Sequence, residues 1–359
     1  MTASAETAPL TPGLRSTLLA LALGTAGGWL ANLLQLPLAW MIGAMTATTV
    51  AAVLGAPIAM PTVFRSAMVT VLGVMLGSGF SPEILSRIAD WALSLAMLAL
   101  YAAAAGAAGF VYFRRLCGYD PATAYFSAMP GGFAEMILAG SELGGDGRII
   151  SLTHASRVLL VVLALPFAVQ ALVGYEPGAR PGAGMPLAEM GLADLGLLTA
   201  CGIAGLFGAR ALKIPAAPLV GPMILSAAVH LAGWTAAKPP LELVAAAQVV
   251  VGSAIGGRFA GMDTGLIRRV VLGAAGGTAV LLGATIAFAV LLHPLTGLAI
   301  EALVLAFAPG GLAEMSLIAI ALGADAAFVA THHIVRICLI VICAPMVFRL
   351  RRSLRGRDA

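Results

Sequence analysis

Pro130-Gly131-Gly132-Phe133-Ala134-Glu135-Met136 recurs 179 positions later as Pro309-Gly310-Gly311-Leu312-Ala313-Glu314-Met315. Each copy interrupts a long apolar stretch with residues poorly suited to continue a helix: proline lacks the amide donor, and glycine is entropically costly there. The same offset holds well outside the heptapeptide. Gly73, Gly77 and Phe80 answer to Gly252, Gly256 and Phe259. Gly144, Asp146, His154, Arg157 and Pro166 answer to Gly323, Asp325, His333, Arg336 and Pro345. With one slipped position, Pro37, Gly43 and Met45 fall on Pro215, Gly221 and Met223. An acid, a histidine, an arginine and several prolines in register mark a tandem duplication.

Hydrophobic residues make up 60% of the 359 and charged residues 10%, with a mean hydropathy of +1.01. A soluble domain of this size needs more charge to cover its surface. Several apolar runs exceed the ~18 residues that mark a membrane span, so a polytopic membrane protein is expected. The first dozen residues contain Glu6 and no Lys or Arg, unlike the basic start of a cleaved signal peptide. Cys117, Cys201, Cys338 and Cys343 form no CxxC pair and read as small buried apolar residues. Arg349, Arg351, Arg352, Arg355 and Arg357 make a basic C-terminal run directly after a span. That run suits anionic lipid on the cytoplasmic face, and no direct nucleic-acid partner is expected.

Pro, Gly and charge divide the first half into spans near 14–34, 37–56, 62–80, 90–113 and 149–173, with the interrupted segment 121–143 before the last. The second half repeats this at 192–212, 215–234, 241–260, 269–292 and 327–348, with 296–322 interrupted. An interrupted segment is either one broken crossing helix or a re-entrant hairpin. A half-helix of about ten residues rises roughly 15 Å, half the hydrocarbon core. Arg114 and Arg115 follow the fourth span of the first half, whereas Arg268 and Arg269 precede its counterpart. Because positive charge marks the cytoplasmic side, the halves should be inverted, which requires an odd number of crossings in each. The expected fold is all-α: two inverted repeats of five transmembrane helices, each with a Pro-Gly-Gly hairpin or broken helix. Residues 1–13 then form a cytoplasmic tail, 14–173 the first repeat and 174–191 an external linker carrying Arg180. Residues 192–348 form the second repeat and 349–359 a basic cytoplasmic tail, which leaves both termini cytoplasmic.

Glu135 and Glu314 stand in the first turn after each break, where exposed amides and the positive helix end favour a carboxylate. Arg157 and Arg336 lie about two turns into the following span, with His154 and His333 three residues earlier on the same helical face. Ionisable groups at that depth cost several kcal/mol unless paired or hydrated. Two arrangements would satisfy them. The glutamates could bind a proton or cation while the arginines meet an anionic group on a solute, or glutamate and arginine could form structural ion pairs. The candidate site is therefore Pro130, Gly131, Gly132, Glu135, His154 and Arg157 with Pro309, Gly310, Gly311, Glu314, His333 and Arg336. Apart from the adjacent His332 and His333, the five histidines are dispersed, His230 and His293 included. With no dinucleotide or P-loop signature either, no metal, cofactor or enzymatic activity is expected.

The doubled PGG-x-AEM with a downstream H-x-x-R, one copy per half, resembles the bacterial AbrB-type membrane protein family over about residues 14–350. That family is unrelated to the soluble DNA-binding regulators of similar name, and it often carries the label ammonia monooxygenase. The resemblance implies an inner-membrane protein and an association with regulation of gene expression. It also implies distant kinship with cation/proton antiporter-like and anion transporters built from inverted five-span repeats. The expected function is ion-coupled secondary transport of a small anionic or zwitterionic solute. The expected partners are the lipid bilayer, that solute and a proton or cation, and a homo-oligomer is compatible with this. A membrane sensor acting indirectly on gene expression is the alternative, and a membrane monooxygenase is less favoured.

Overall fold

The helices of the computed structural model follow the apolar runs and stop at the Pro, Gly and charged punctuation between them. Residues 13–173 and 184–355 are described. Most of the expected N-terminal tail, linker residues 174–183 with Arg180, and 356–359 with Arg357 lie outside them. The first half runs through α1 (Leu14–Leu33), α2 (Ala39–Val53), α3 (Thr62–Gly77), α4 (Ala92–Arg115), α5 (Pro121–Ala128), α6 (Phe133–Glu142) and α7 (Gly147–Val173). The second runs through α8 (Leu192–Ala211), α9 (Ala217–Leu231), α10 (Leu241–Gly256), α11 (Thr264–Thr296), α12 (Ile300–Phe307), α13 (Leu312–Ala321) and α14 (Ala326–Arg355). Among the described residues seven helices are long and apolar enough to cross a membrane: α1, α4 with its preceding turn, α7, α8, α10 with its following turn to Phe259, α11 and α14. Helices α2, α3 and α9 are apolar but have only 15, 16 and 15 residues.

Two turns explain why α2 and α9 start late. Gln35 and Leu38 before α2, like Lys213 and Ala216 before α9, all have φ between 49° and 54°. This left-handed region is unfavourable for residues with a Cβ. Pro37 and Pro215 sit inside these turns. Leu36 N donates to Ala31 O at 3.1 Å and Ile214 N to Ala209 O at 2.9 Å, so both turns close the same way.

Glycine lets the central helices cross at backbone contact. Gly73 and Gly77 of α3 lie against the Leu219 and Met223 carbonyls of α9. Gly252 and Gly256 of α10 lie against those of Met41 and Met45 on α2, where an added Cβ would fall 2.6 and 2.9 Å away. Only small residues permit this approach. Ser226 Oγ, donating to Val74 O at 2.7 Å, ties α9 to α3.

Side-chain contacts show which helix ends share a face. Arg210 Nη2 at the end of α8 donates to Ser66 Oγ near the start of α3, at 3.0 Å. Arg351 of α14 lies over the Phe110 ring of α4, 5.1 Å from its centroid. At other helix ends, Thr235 Oγ1 after α9 donates to Asp194 in the first turn of α8, at 2.6 Å.

The interrupted segment 121–143 doubles back. Asp120 caps α5, accepting from Ala122 N at 3.0 Å and Thr123 N at 2.9 Å. Thr123 Oγ1 in turn accepts from Asp146 N, beyond the end of α6, at 2.7 Å. The start of α5 and the exit from α6 are therefore adjacent, which a straight broken helix would not allow. Gly144 and Gly323 leave α6 and α13 in the left-handed conformation (φ 92° and 69°). Asp146 and Asp325 then cap α7 and α14 through Arg148 N at 2.8 Å and Phe328 N at 3.0 Å. These repeated residues are helix punctuation.

Candidate functional site

Between α5 and α6, and again between α12 and α13, the last carbonyls of one short helix lack helical partners, as do the first amides of the next. The carbonyl side of each break is taken by an arginine. Arg157 Nη1 donates to Met129 O at 3.3 Å and to Ser127 O at 3.5 Å. Arg336 Nη1 donates to Ala308 O at 2.6 Å and Phe307 O at 3.3 Å, and its Nη2 to Gly310 O at 3.1 Å. The cation thus meets the negative end of a half-helix, where it is favoured.

The histidine of each H-x-x-R orients its arginine. His154 Nε2 bonds Phe126 O at 2.9 Å, and His333 Nε2 bonds Leu305 O at 2.9 Å. A carbonyl can only accept, so Nε2 carries the proton. Nδ1 is then the acceptor for Arg157 Nη2 at 2.8 Å and for Arg336 Nη2 at 3.0 Å. The motif ties α7 and α14 to the unwound tips as a neutral-imidazole clamp. The Glu–Arg ion pairs that the sequence allows are not the arrangement found: among the described residues the guanidinium groups of Arg157 and Arg336 bond carbonyls and imidazoles.

On the amide side, Gly132 and Gly311 are the N-caps of α6 and α13, with no side-chain cap. Three residues on, Glu135 and Glu314 fold back so that each carboxylate lies over its own N-cap glycine, where a Cβ would occupy the same space. The other glycine of each pair makes room for methionine. A Cβ on Gly131 would fall 3.2 Å from Met136 Sδ, and one on Gly310 2.7 Å from Met315 Sδ. The heptapeptide is thus complementary to itself: the first glycine accommodates Met and the second accommodates Glu.

Both tips face one cavity of about 360 Å³, within the range of small-molecule sites. Gly131, Gly132, Glu135, His154 and Arg157 line it from one half, and Gly310, Gly311, Glu314 and Arg336 from the other. Three of the expected residues do not reach it: Pro130, Pro309 and His333 are buried behind the lining. Both glutamates are partly exposed, whereas Arg157 and Arg336 are buried. The Nε atoms of Arg157 and Arg336 have no hydrogen-bond partner. Sequence reasoning missed Arg65, Arg258 and Phe133, which also line the cavity. The Arg258 guanidinium lies 3.5 Å from the centroid of the Phe133 ring. The signal was present: both arginines adjoin apolar spans and have no counterpart at the duplicated positions, Val244 and Gly79. Among the described residues no three His, Cys, Asp or Glu side chains gather so as to hold a metal ion.

A family model described as "Transition state regulatory protein AbrB" matches residues 40–352. The protein YhjN of Bacillus subtilis (strain 168) is 30% identical over 362 residues, covering 94% of this chain and 93% of that protein. A protein of Escherichia coli (strain K12), provisionally named regulator AbrB, is 24% identical over 325 residues, covering 88% of this chain and 90% of the relative. The matched region contains both Pro-Gly-Gly breaks, both clamps and the whole lining of the shared cavity, and the chain belongs to the AbrB family.

Proposed function

We propose that this protein is a secondary transporter of a small anionic or zwitterionic solute, coupled to a proton or cation. One observation carries the reading: two half-helix tips, one from each half of the chain, line a single cavity with a carboxylate beside each tip. Non-helical backbone at membrane depth is tolerated only when buried in protein or lining a wet cavity. Discontinuous helices meeting between duplicated halves are the usual construction of ion-coupled carriers. The positive ends of α6 and α13 suit an anionic group, and Glu135 and Glu314 beside them suit the coupling ion.

The topology belonging to this reading has ten crossings in two inverted repeats. Helices α5–α6 and α12–α13 are re-entrant hairpins from opposite sides, and both termini are in the cytoplasm of a bacterial inner membrane. Helices α2, α3 and α9 rise only about 23–24 Å, short of the ~30 Å core. Contacts between neighbouring helices, including the α3–α9 and α2–α10 glycine crossings, support these short elements as crossings. The contacts of Arg210 with Ser66 and of Arg351 with Phe110 support the clustering of basic helix ends on one face, as the positive-inside rule requires.

The test is solute counterflow in proteoliposomes, with a panel of labelled small carboxylates, phosphates and amino acids. Exchange that is lost in Glu135→Gln and Glu314→Gln is expected. A protein that binds a panel member without exchanging it is instead a sensor, the reading favoured by the regulator name of the Escherichia coli relative.

A further inference from the structure

Four arginines and two carboxylates line the cavity, and the two arginines outside the H-x-x-R clamps have no structural task of that kind. Arg65 stands in the first turn of α3 and Arg258 follows the end of α10, so both sit at helix ends, and both line the cavity together with the Pro-Gly-Gly tips. Arg65 Nε is buried without a hydrogen-bond partner. Arg258 packs its guanidinium against the ring of Phe133, 3.5 Å from the centroid, as a cation on an aromatic face. The duplication supplies an internal control. At the corresponding positions of the other half, Arg65 and Phe133 answer to Val244 and Leu312, and Arg258 answers to Gly79. Val244 is 2% exposed within the main apolar core. Packing at these positions therefore does not require cations; the two lie within electrostatic reach of each other, and the Glu314 carboxylate, which faces both, offsets part of the repulsion and desolvation this costs.

We propose that Arg65 and Arg258 form an oxyanion-binding subsite in the cavity, taking the carboxylate or phosphate group of a small water-soluble organic anion. Guanidinium forks match these groups bidentately, and a ligand bridging them offsets the repulsion between them. The subsite deepens the transport reading by naming the substrate class. It is nevertheless a statement about binding, so it can stand or fall apart from flux. Arg65 comes from the first half and Arg258 from the second, and neither has a cationic counterpart at its duplicated position, so the subsite is not repeated by the duplication.

The test uses the detergent-purified full chain with citrate, succinate and inorganic phosphate as probes, at ionic strength held constant with chloride. Saturable thermal stabilisation of the wild type is expected, with its midpoint weakened about tenfold or more in Arg65→Gln and in Arg258→Gln. An unchanged midpoint in both variants, or no saturable shift with any probe, overturns the proposal. Should the glutamine variants not fold, phenylglyoxal modification of the wild type decides. The effective anion should slow modification of Arg65 and Arg258 but not of Arg114, and equal rates at all three overturn the subsite. Binding without counterflow would remove the transport reading and leave this one intact. Counterflow that ignores both variants would do the reverse.

Discussion

Glutamate and arginine were both candidates for the site in the sequence, and geometry separates them. Arg336 makes three bonds to carbonyls and one to His333, so it fastens the tip. Replacing it by methionine leaves those acceptors unpaired in a buried setting, at about 1–3 kcal/mol for each group left unsatisfied. Arg336→Met should therefore lower melting temperature and yield in detergent well beyond Glu314→Gln, and equal losses would contradict the clamp. The glutamates instead fold over Gly132 and Gly311. Gly311→Ala should leave a folded protein that has lost ligand-induced stabilisation, because the new methyl displaces the carboxylate. Retained ligand response in a folded Gly311→Ala would show that the carboxylate position is not needed. No spacing rule could have revealed this, since a fold-back over the N-cap is a matter of side-chain rotamer. Arg65 and Arg258 were hidden for a different reason: each stands at the end of an apolar span, as basic residues commonly do, and only the folded chain brings them onto one cavity.

At the scale of elements the sequence was more legible, because the devices that end and cross helices are themselves residue types. Proline and glycine located the breaks, and the Gly73/Gly77 and Gly252/Gly256 pairs lie, in the fold, where α3 meets α9 and α10 meets α2. Large side chains there should overpack the crossings by roughly 1–3 kcal/mol or more. Gly252→Leu should destabilise strongly, whereas Gly196→Leu on exposed α8, with nothing within 4 Å of its Cβ position, should be neutral. Similar thermal losses in both variants would mean that close crossing is not what Gly252 provides. The choice between hairpin and broken helix stayed open in the sequence. It turns on the bond between Thr123 and Asp146, a contact across 23 residues that periodicity does not encode.

At the scale of the whole molecule, two tips carrying matching sequence line one cavity, together with Arg65 and Arg258, which have no cationic match 179 positions away. The ten-crossing topology predicts which helix ends meet each side of the membrane. In a background lacking Cys117, Cys201, Cys338 and Cys343, a cysteine at Arg115 should react with an impermeant maleimide only in inverted vesicles, and one at Lys238 only in intact cells. Labelling of both from the same side would break the inverted arrangement. The central claim, that the two halves build one solute site, is tested most directly by ligand-induced thermal stabilisation of wild type, Glu135→Gln and Glu314→Gln side by side. One and the same solute should stabilise the wild type and fail with each folded variant. A solute that still stabilises both variants fully, or variants that only lose basal stability, would contradict it.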